Sequence, residues 1–251
     1  MISKRPVRLT KEPIVDALFE VRLAPAAIPL SNAVPGLLFS AFSAESPVVA
    51  RLPGADMPAQ LKALQPQFMY QPVLAITLGK FRISVGDRIV TVGCKLPYPG
   101  WAEFKQKIIS VWDKLGATGL LPDVERYSMK YVDLISAEDA PTPFGPLDMK
   151  ISVAGRTLSN EMTVFRTEFT SESFIEALQV ISRAEVQVEG QSIRSGMVLD
   201  IDILSRSPVL PSGEFVDSLA ERLDAIHEAN KELFFGCLTD EMLVKLGAVY
   251  E

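Results

Sequence analysis

Asp200 and Asp202 lie two residues apart in the run Leu199-Asp200-Ile201-Asp202-Ile203. In a β-strand that spacing sends both carboxylates to one face and the isoleucines to the other. Paired carboxylates can hold a divalent cation or divide acid and base roles in a hydrolysis. Arg126, Lys130 and Asp133, in a second alternating segment, supply the further charges such a site would use, and the five residues together form the candidate ligand or metal site. The same pattern also describes a solvated strand face whose acids sit opposite Arg126 and Lys130, the ordinary arrangement where one side of a sheet meets water.

Other chemistry is narrowed by what the sequence holds. His227 is the only histidine among 251 residues, so multi-histidine metal sites are excluded and a catalytic triad or Cys-His dyad would have to use it. Next to Ile226 on a long helical pattern, it is expected at the edge of a buried stripe with one hydrogen bond. No Gly-x-Ser-x-Gly, Gly-x-x-x-x-Gly-Lys-Ser/Thr or Gly-x-Gly-x-x-Gly occurs, which disfavours the common hydrolase, nucleotide and dinucleotide folds. Cys94 and Cys237 are too few for a disulfide framework and too far apart in sequence for a zinc knuckle. Buried free thiols in a reducing cytosol are expected. No catalytic residue, resident metal or cofactor is assigned. With a net charge of −6 and a pI of about 5.1, the chain lacks the footprint of a nucleic-acid binder. The basic bias of Lys4, Arg5, Arg8 and Lys11 reads as a solvated arm.

Periodicity predicts the elements that position these groups. Residues 14–23 alternate as a half-buried strand. Residues 24–44 carry no charge, but three prolines, Gly36 and several polar residues make them a poor membrane span. They read as a loop and a helix over 32–44 with Leu37, Leu38 and Phe42 inward. Residues 46–66 should be irregular. Strands over 71–78, 80–85 and 88–94 are separated by gaps so short that they must form an antiparallel meander. A helix over 101–115 follows, with Trp101, Phe104 and Trp112 on its apolar side. Further strands are expected at 124–135, 147–153, 161–169, 174–188 with a break or bulge near Ser182, and 197–204. A long helix over 214–235 comes next, then a short one opened by Thr239. No signal peptide is expected, since the basic start has no apolar run behind it.

On the long helix Leu219, Leu223, Ile226 and Asn230 recur in steps of three and four. That is a coiled-coil-like seam with one polar place, where a buried asparagine can pair across a two-fold axis. These four residues are the candidate interface of a homodimer. Packing on the chain's own sheet is the alternative.

The halves also echo each other at an offset of 111 positions. Glu103-Phe104, Ile108, Trp112 and Leu115 match Glu214-Phe215, Leu219, Leu223 and Ile226, and Val21-x-Leu23 matches Val132-x-Leu134. The expected fold is therefore α+β, with two pseudo-repeated halves, 1–122 and 123–251, each an antiparallel sheet covered by a long helix. The expected function is that of a non-enzymatic interaction, regulatory or accessory protein: cytoplasmic, homo-oligomeric or joined to a protein partner, with no nucleic acid and no membrane. The alternative is a metal-dependent hydrolase or small-molecule binder on the Asp200/Asp202 face.

Three segments resemble a bacterial family of uncharacterised proteins, the "sporadically distributed protein" family. They are residues 13–22, Pro-Ile-Val-Asp-Ala-Leu-Phe-Glu-Val-Arg; Tyr98-Pro99-Gly100-Trp101 to Phe104, followed by residues 126–133, Arg-Tyr-Ser-Met-Lys-Tyr-Val-Asp; and His227 through Phe234-Phe235 to Leu238-Thr239-Asp240-Glu241 and Leu246-Gly247. Lys130 and Asp133 depart from the family's usual pattern. The resemblance implies an uncharacterised cytoplasmic protein and carries over no catalytic residue.

Overall fold

The computed structural model describes residues 5–58, 61, 65–139, 142, 144–158, 161–187, 193–206 and 208–250, without the side chains of 66 and 67. Its strands, in chain order, are β1 (Arg8–Leu9), β2 (Ile14–Leu23), β3 (Val48–Arg51), β4 (Pro72–Leu78), β5 (Phe81–Gly86), β6 (Ile89–Cys94), β7 (Val124–Ser136), β8 (Ser152–Val153), β9 (Arg156–Thr157), β10 (Val164–Thr170), β11 (Phe174–Val186), β12 (Arg194–Ser205) and β13 (Ala248–Val249). The helices are α1 (Leu30–Ala41), α2 (Trp101–Gly116), α3 (Ser212–Asp217), α4 (Leu219–Cys237) and α5 (Asp240–Lys245). Nine strands form one large antiparallel sheet in the order β10-β11-β12-β7-β2-β6-β5-β4-β3, while β1 pairs with β13 and β8 with β9. The fold is α+β.

The chain divides into two compact units that alternate along it. One holds Ala17–Met129 and Leu204–Ile226; the other holds the described residues of Met1–Asp16, Lys130–Ile203 and His227–Glu251. The expected division into 1–122 and 123–251 differs from these units, whose stretches interleave along the chain.

In the first unit, alternation sets the core. Phe19 lies opposite Val92, Val92 opposite Ile83 and Ile83 opposite Ile76, and all four are shielded from solvent. Phe104, Ile108, Val111, Trp112 and Leu115 form the buried stripe of α2. Trp112 meets the Phe215 ring edge-on at 5.3 Å, and Phe215 lies 5.7 Å from the Tyr127 ring. Aromatic burial of this kind makes the long apolar side chains of α2 core rather than pocket lining. On α1 the expectation needs correction: Leu38 and Phe42 are buried, but Leu37 is 42% exposed. The inward row is Leu30, Val34 and Leu38, spaced by four. Residues 48–51 also form an edge strand inside the segment expected to be irregular.

In the second unit, β10 and β11 make a hairpin in one continuous register, from Val164 opposite Ile181 to Thr170 opposite Ile175. The expected break near Ser182 is absent from β11, and that buried hydroxyl donates to the Glu161 carbonyl while accepting from the Thr163 N–H. Of the strand expected at 147–153, the structure keeps a lone bridge from Leu147 to Leu238 and the two residues of β8. Thr239 caps α5 by accepting from the Met242 N–H at 3.2 Å. Gly247 then turns the chain at φ 67°, where a Cβ would collide with Thr10.

The helix expected over 214–235 is two helices. Ser218, between α3 and α4, donates its hydroxyl to the Glu214 carbonyl at 2.6 Å and accepts from Arg222 Nε at 2.7 Å. Such back-bonding competes with the helical ladder and bends it.

Candidate functional site

Strand parity separates the five candidate charges. Arg126 and Lys130 occupy even positions of β7 and lie on one face; Asp133, at an odd position, lies on the other with Tyr127, Met129, Tyr131 and Ile135. Lys130 Nζ stands 2.7 Å from Asp200 Oδ2, with both side chains largely shielded. Asp200 and Asp202 share a half-buried face of β12, and Ile201 and Ile203 enter the core. Asp202 and Arg126 are each engaged by neighbours as well. Lys130 and Asp200 are an ordinary ion pair between strand residues.

Asp133 therefore cannot join the others, which corrects the expected five-residue cluster. It is only 3% exposed. Burial, with a smaller contribution from the negative charge of Glu12, pushes its carboxyl up to about 8. Near neutral pH it is mainly protonated, in keeping with a core position rather than a cation ligand. Among the described residues no three His, Cys, Asp or Glu side chains are grouped as a metal site requires.

The expected dimer seam is also corrected. Leu219, Leu223 and Ile226 are at most 1% exposed and Asn230 is 4% exposed, all within a single chain. Asn230 Nδ2 donates to the Ile201 carbonyl at 3.3 Å, so its polar group is satisfied without a second copy. His227, one turn earlier, places Nδ1 3.4 Å from the Tyr131 hydroxyl. Burial drives the Cys237 thiol up to about 11, which removes it as a nucleophile at neutral pH.

Three features escaped the sequence reading. One is a polar knot on the even face of β2. Arg88 Nη2 reaches Glu125 at 2.5 Å and the Tyr70 hydroxyl at 3.2 Å, Tyr70 donates to Glu125 at 2.7 Å, and both Arg22 and Arg88 lie over the Tyr70 ring. Arg22 also donates to Glu20 at 2.7 Å. Two guanidinium groups face two carboxylates, so the knot is neutral and self-contained. The second is a cavity of about 530 Å³ lined by Glu12, Ser136, Asp139, Arg194 and Ser195 among others. The third is β10, an edge strand whose Val164 and Phe169 are 65% and 50% exposed. Its apolar content was legible, but its place at the edge was not.

Against known proteins, no family model and no curated protein matches the chain. No helix among the described residues is long and apolar enough to cross a membrane.

Proposed function

We propose that this is a non-enzymatic interaction protein, a regulatory or accessory subunit that acts as a homo-oligomer and uses an open sheet edge as its contact surface. The observation that carries the reading is β10. Among the described residues it ends the sheet, and apolar side chains are exposed along it and just before it, Met162 included. An edge strand presents unpaired N–H and C=O groups, and in proteins that stay monomeric it is usually short, charged or covered. Of the charges that suggested catalysis, Lys130 is tied to Asp200 and Asp133 is buried on the other face of its strand. Light scattering tests the reading. Wild type is expected above monomer mass at micromolar concentration, and Glu168→Pro, which removes one outward donor, is expected to lower that mass. A wild type that stays monomeric overturns it.

The reading includes a duplicated origin, supported by the sheet order: β6, β5 and β4 follow outward from β2, and β12, β11 and β10 follow outward from β7. It also includes the resemblance to the "sporadically distributed protein" family and a cytoplasmic location, for which the two free thiols speak.

A small-molecule binder is the second reading. The cavity beside Glu12 and Arg194 favours it, since its volume falls in the usual range for ligand sites. Thermal-shift screening of wild type against Arg194→Ala tests it. A ligand whose stabilisation survives that change would place binding elsewhere.

A further inference from the structure

We propose that β10 pairs with β10 of a second copy of this chain, antiparallel, about a two-fold axis at Thr167. The inference rests on the reading of the chain as a self-associating protein and names the surface and its register. Two features of the strand agree on it.

The hydrogen-bonding parity comes first. Ser182 N–H donates to the Thr163 carbonyl and Ser171 N–H to the Phe174 carbonyl, so the pairs 163/182 and 171/174 are the hydrogen-bonded kind. In an antiparallel ladder this kind recurs at every second residue. With the continuous β10–β11 register, Phe165, Thr167 and Phe169 point their N–H and C=O groups at β11. Val164, Arg166, Glu168 and Thr170 therefore point theirs at the free edge. A two-fold at Thr167 sets Val164 against Thr170 of the second copy and Arg166 against Glu168. Every outward residue then meets another outward residue, and both its groups are satisfied.

The sequence has the matching symmetry. Residues 164–170 read Val-Phe-Arg-Thr-Glu-Phe-Thr, a palindrome in chemical type about Thr167. In this register each Arg166 faces a Glu168 and each Phe165 faces a Phe169. Residues opposite one another share a face of the sheet, so the contacts are cross-strand ion pairs on one side and aromatic pairs flanking Thr167 on the other. The aromatic pairs fall at the non-hydrogen-bonded places, where side chains come closest. In the single chain Arg166 and Glu168 bond along the strand at 2.9 Å, with more than half of each side chain exposed. Both remain available to exchange partners.

Symmetry closes the assembly. An isologous strand pair leaves no further β10 edge, so it yields a dimer rather than a fibre. The opposite edge, β3, is four residues long and reads Val-Val-Ala-Arg, which has no such self-complementarity.

The test combines charge reversal with covalent trapping. Arg166→Glu and Glu168→Arg each set like charges opposite one another twice per dimer, so each is expected to weaken association roughly tenfold or more. The double exchange R166E/E168R should restore it. Thr167→Cys places two thiols at Cα atoms about 4.5 Å apart, at the near end of the disulfide range of about 4.4–6.8 Å. Mild oxidation should link that variant into dimers, and neither wild type nor Arg166→Cys should respond. Circular dichroism checks that each variant folds. A wild-type dimer that ignores both charge reversals and is not trapped at Thr167→Cys overturns the β10 register while leaving self-association standing. A monomeric wild type without trapping overturns both.

Discussion

Two sets of apolar residues, Leu219, Leu223 and Ile226 on the helix and Val164 and Phe169 on the two faces of the edge strand, could each be taken for an interface. The helical row is at most 1% exposed, while Val164 and Phe169 are 65% and 50% exposed. A regular stripe reports that a helix covers something, and a sheet of the same chain is the commonest thing to cover. A strand reports little about its surroundings until its neighbours are known. Among the described residues β10 has a strand neighbour on one side only. The polar residues repeat the contrast. Asn230 is satisfied inside by the Ile201 carbonyl, whereas Arg166 and Glu168 stand in water.

The largest effect that would break this comparison is on the helix. Leu223→Glu is expected to cost about 4 kcal/mol or more, because it buries a charge without a partner, and urea denaturation should find little folded protein. A stable Leu223→Glu that merely changes oligomeric state would return the helical row to interface status.

Asp133 sharpens the comparison on the covered side. Its carboxyl is raised from 3.8 to about 8 in the folded chain, so between those values the folded state holds a proton that the unfolded state releases. Stability from this group is therefore present in acid and is lost as pH rises through that window, at up to about 1.4 kcal/mol per pH unit. Asp133→Asn should be the more stable protein by a few kcal/mol at pH 7.5 and nearly equal to wild type at pH 4. Chemical denaturation at the two pH values checks the sign. A variant weaker than wild type at pH 7.5 would mean that Asp133 is ionised and paired.

Much of the scaffold was legible because its signals are local. The alternation of 14–23 and the short gaps at Gly79 and Gly86-Asp87 gave β2 and the β4–β6 meander, and the stripe of Phe104, Ile108 and Trp112 gave α2. Parity alone already separates Asp133 from Arg126 and Lys130. Grouping them overlooked that a strand turns odd and even residues to opposite faces. Other features depend on distant chain. Strand β3 forms where residues 48–51 meet residues 74–77, and nothing in its proline-rich surroundings announces that. The palindrome around Thr167 was present in the sequence, but its meaning needs the edge position and the set of outward-facing groups.

Smaller effects follow. Asn230→Ala should cost about 1–3 kcal/mol, since it removes a buried hydrogen bond to the Ile201 carbonyl. The same loss at every protein concentration would keep Asn230 inside the chain, and a loss that vanished on dilution would return it to a dimer seam. Asp200→Asn should cost about 1 kcal/mol or less, as a partly exposed ion pair does. Loss of a stoichiometric divalent cation on that change, read by elemental analysis, would revive the carboxylate site.

Hydrogen exchange of the β10 amides, compared at dilute and concentrated protein, is the most direct measurement of whether the open edge is the contact surface. The N–H groups of Arg166, Glu168 and Thr170 are expected to exchange quickly when dilute and to become protected as concentration rises, while those of Phe165, Thr167 and Phe169 are protected throughout. Identical exchange of all six amides at both concentrations would contradict a contact through this edge.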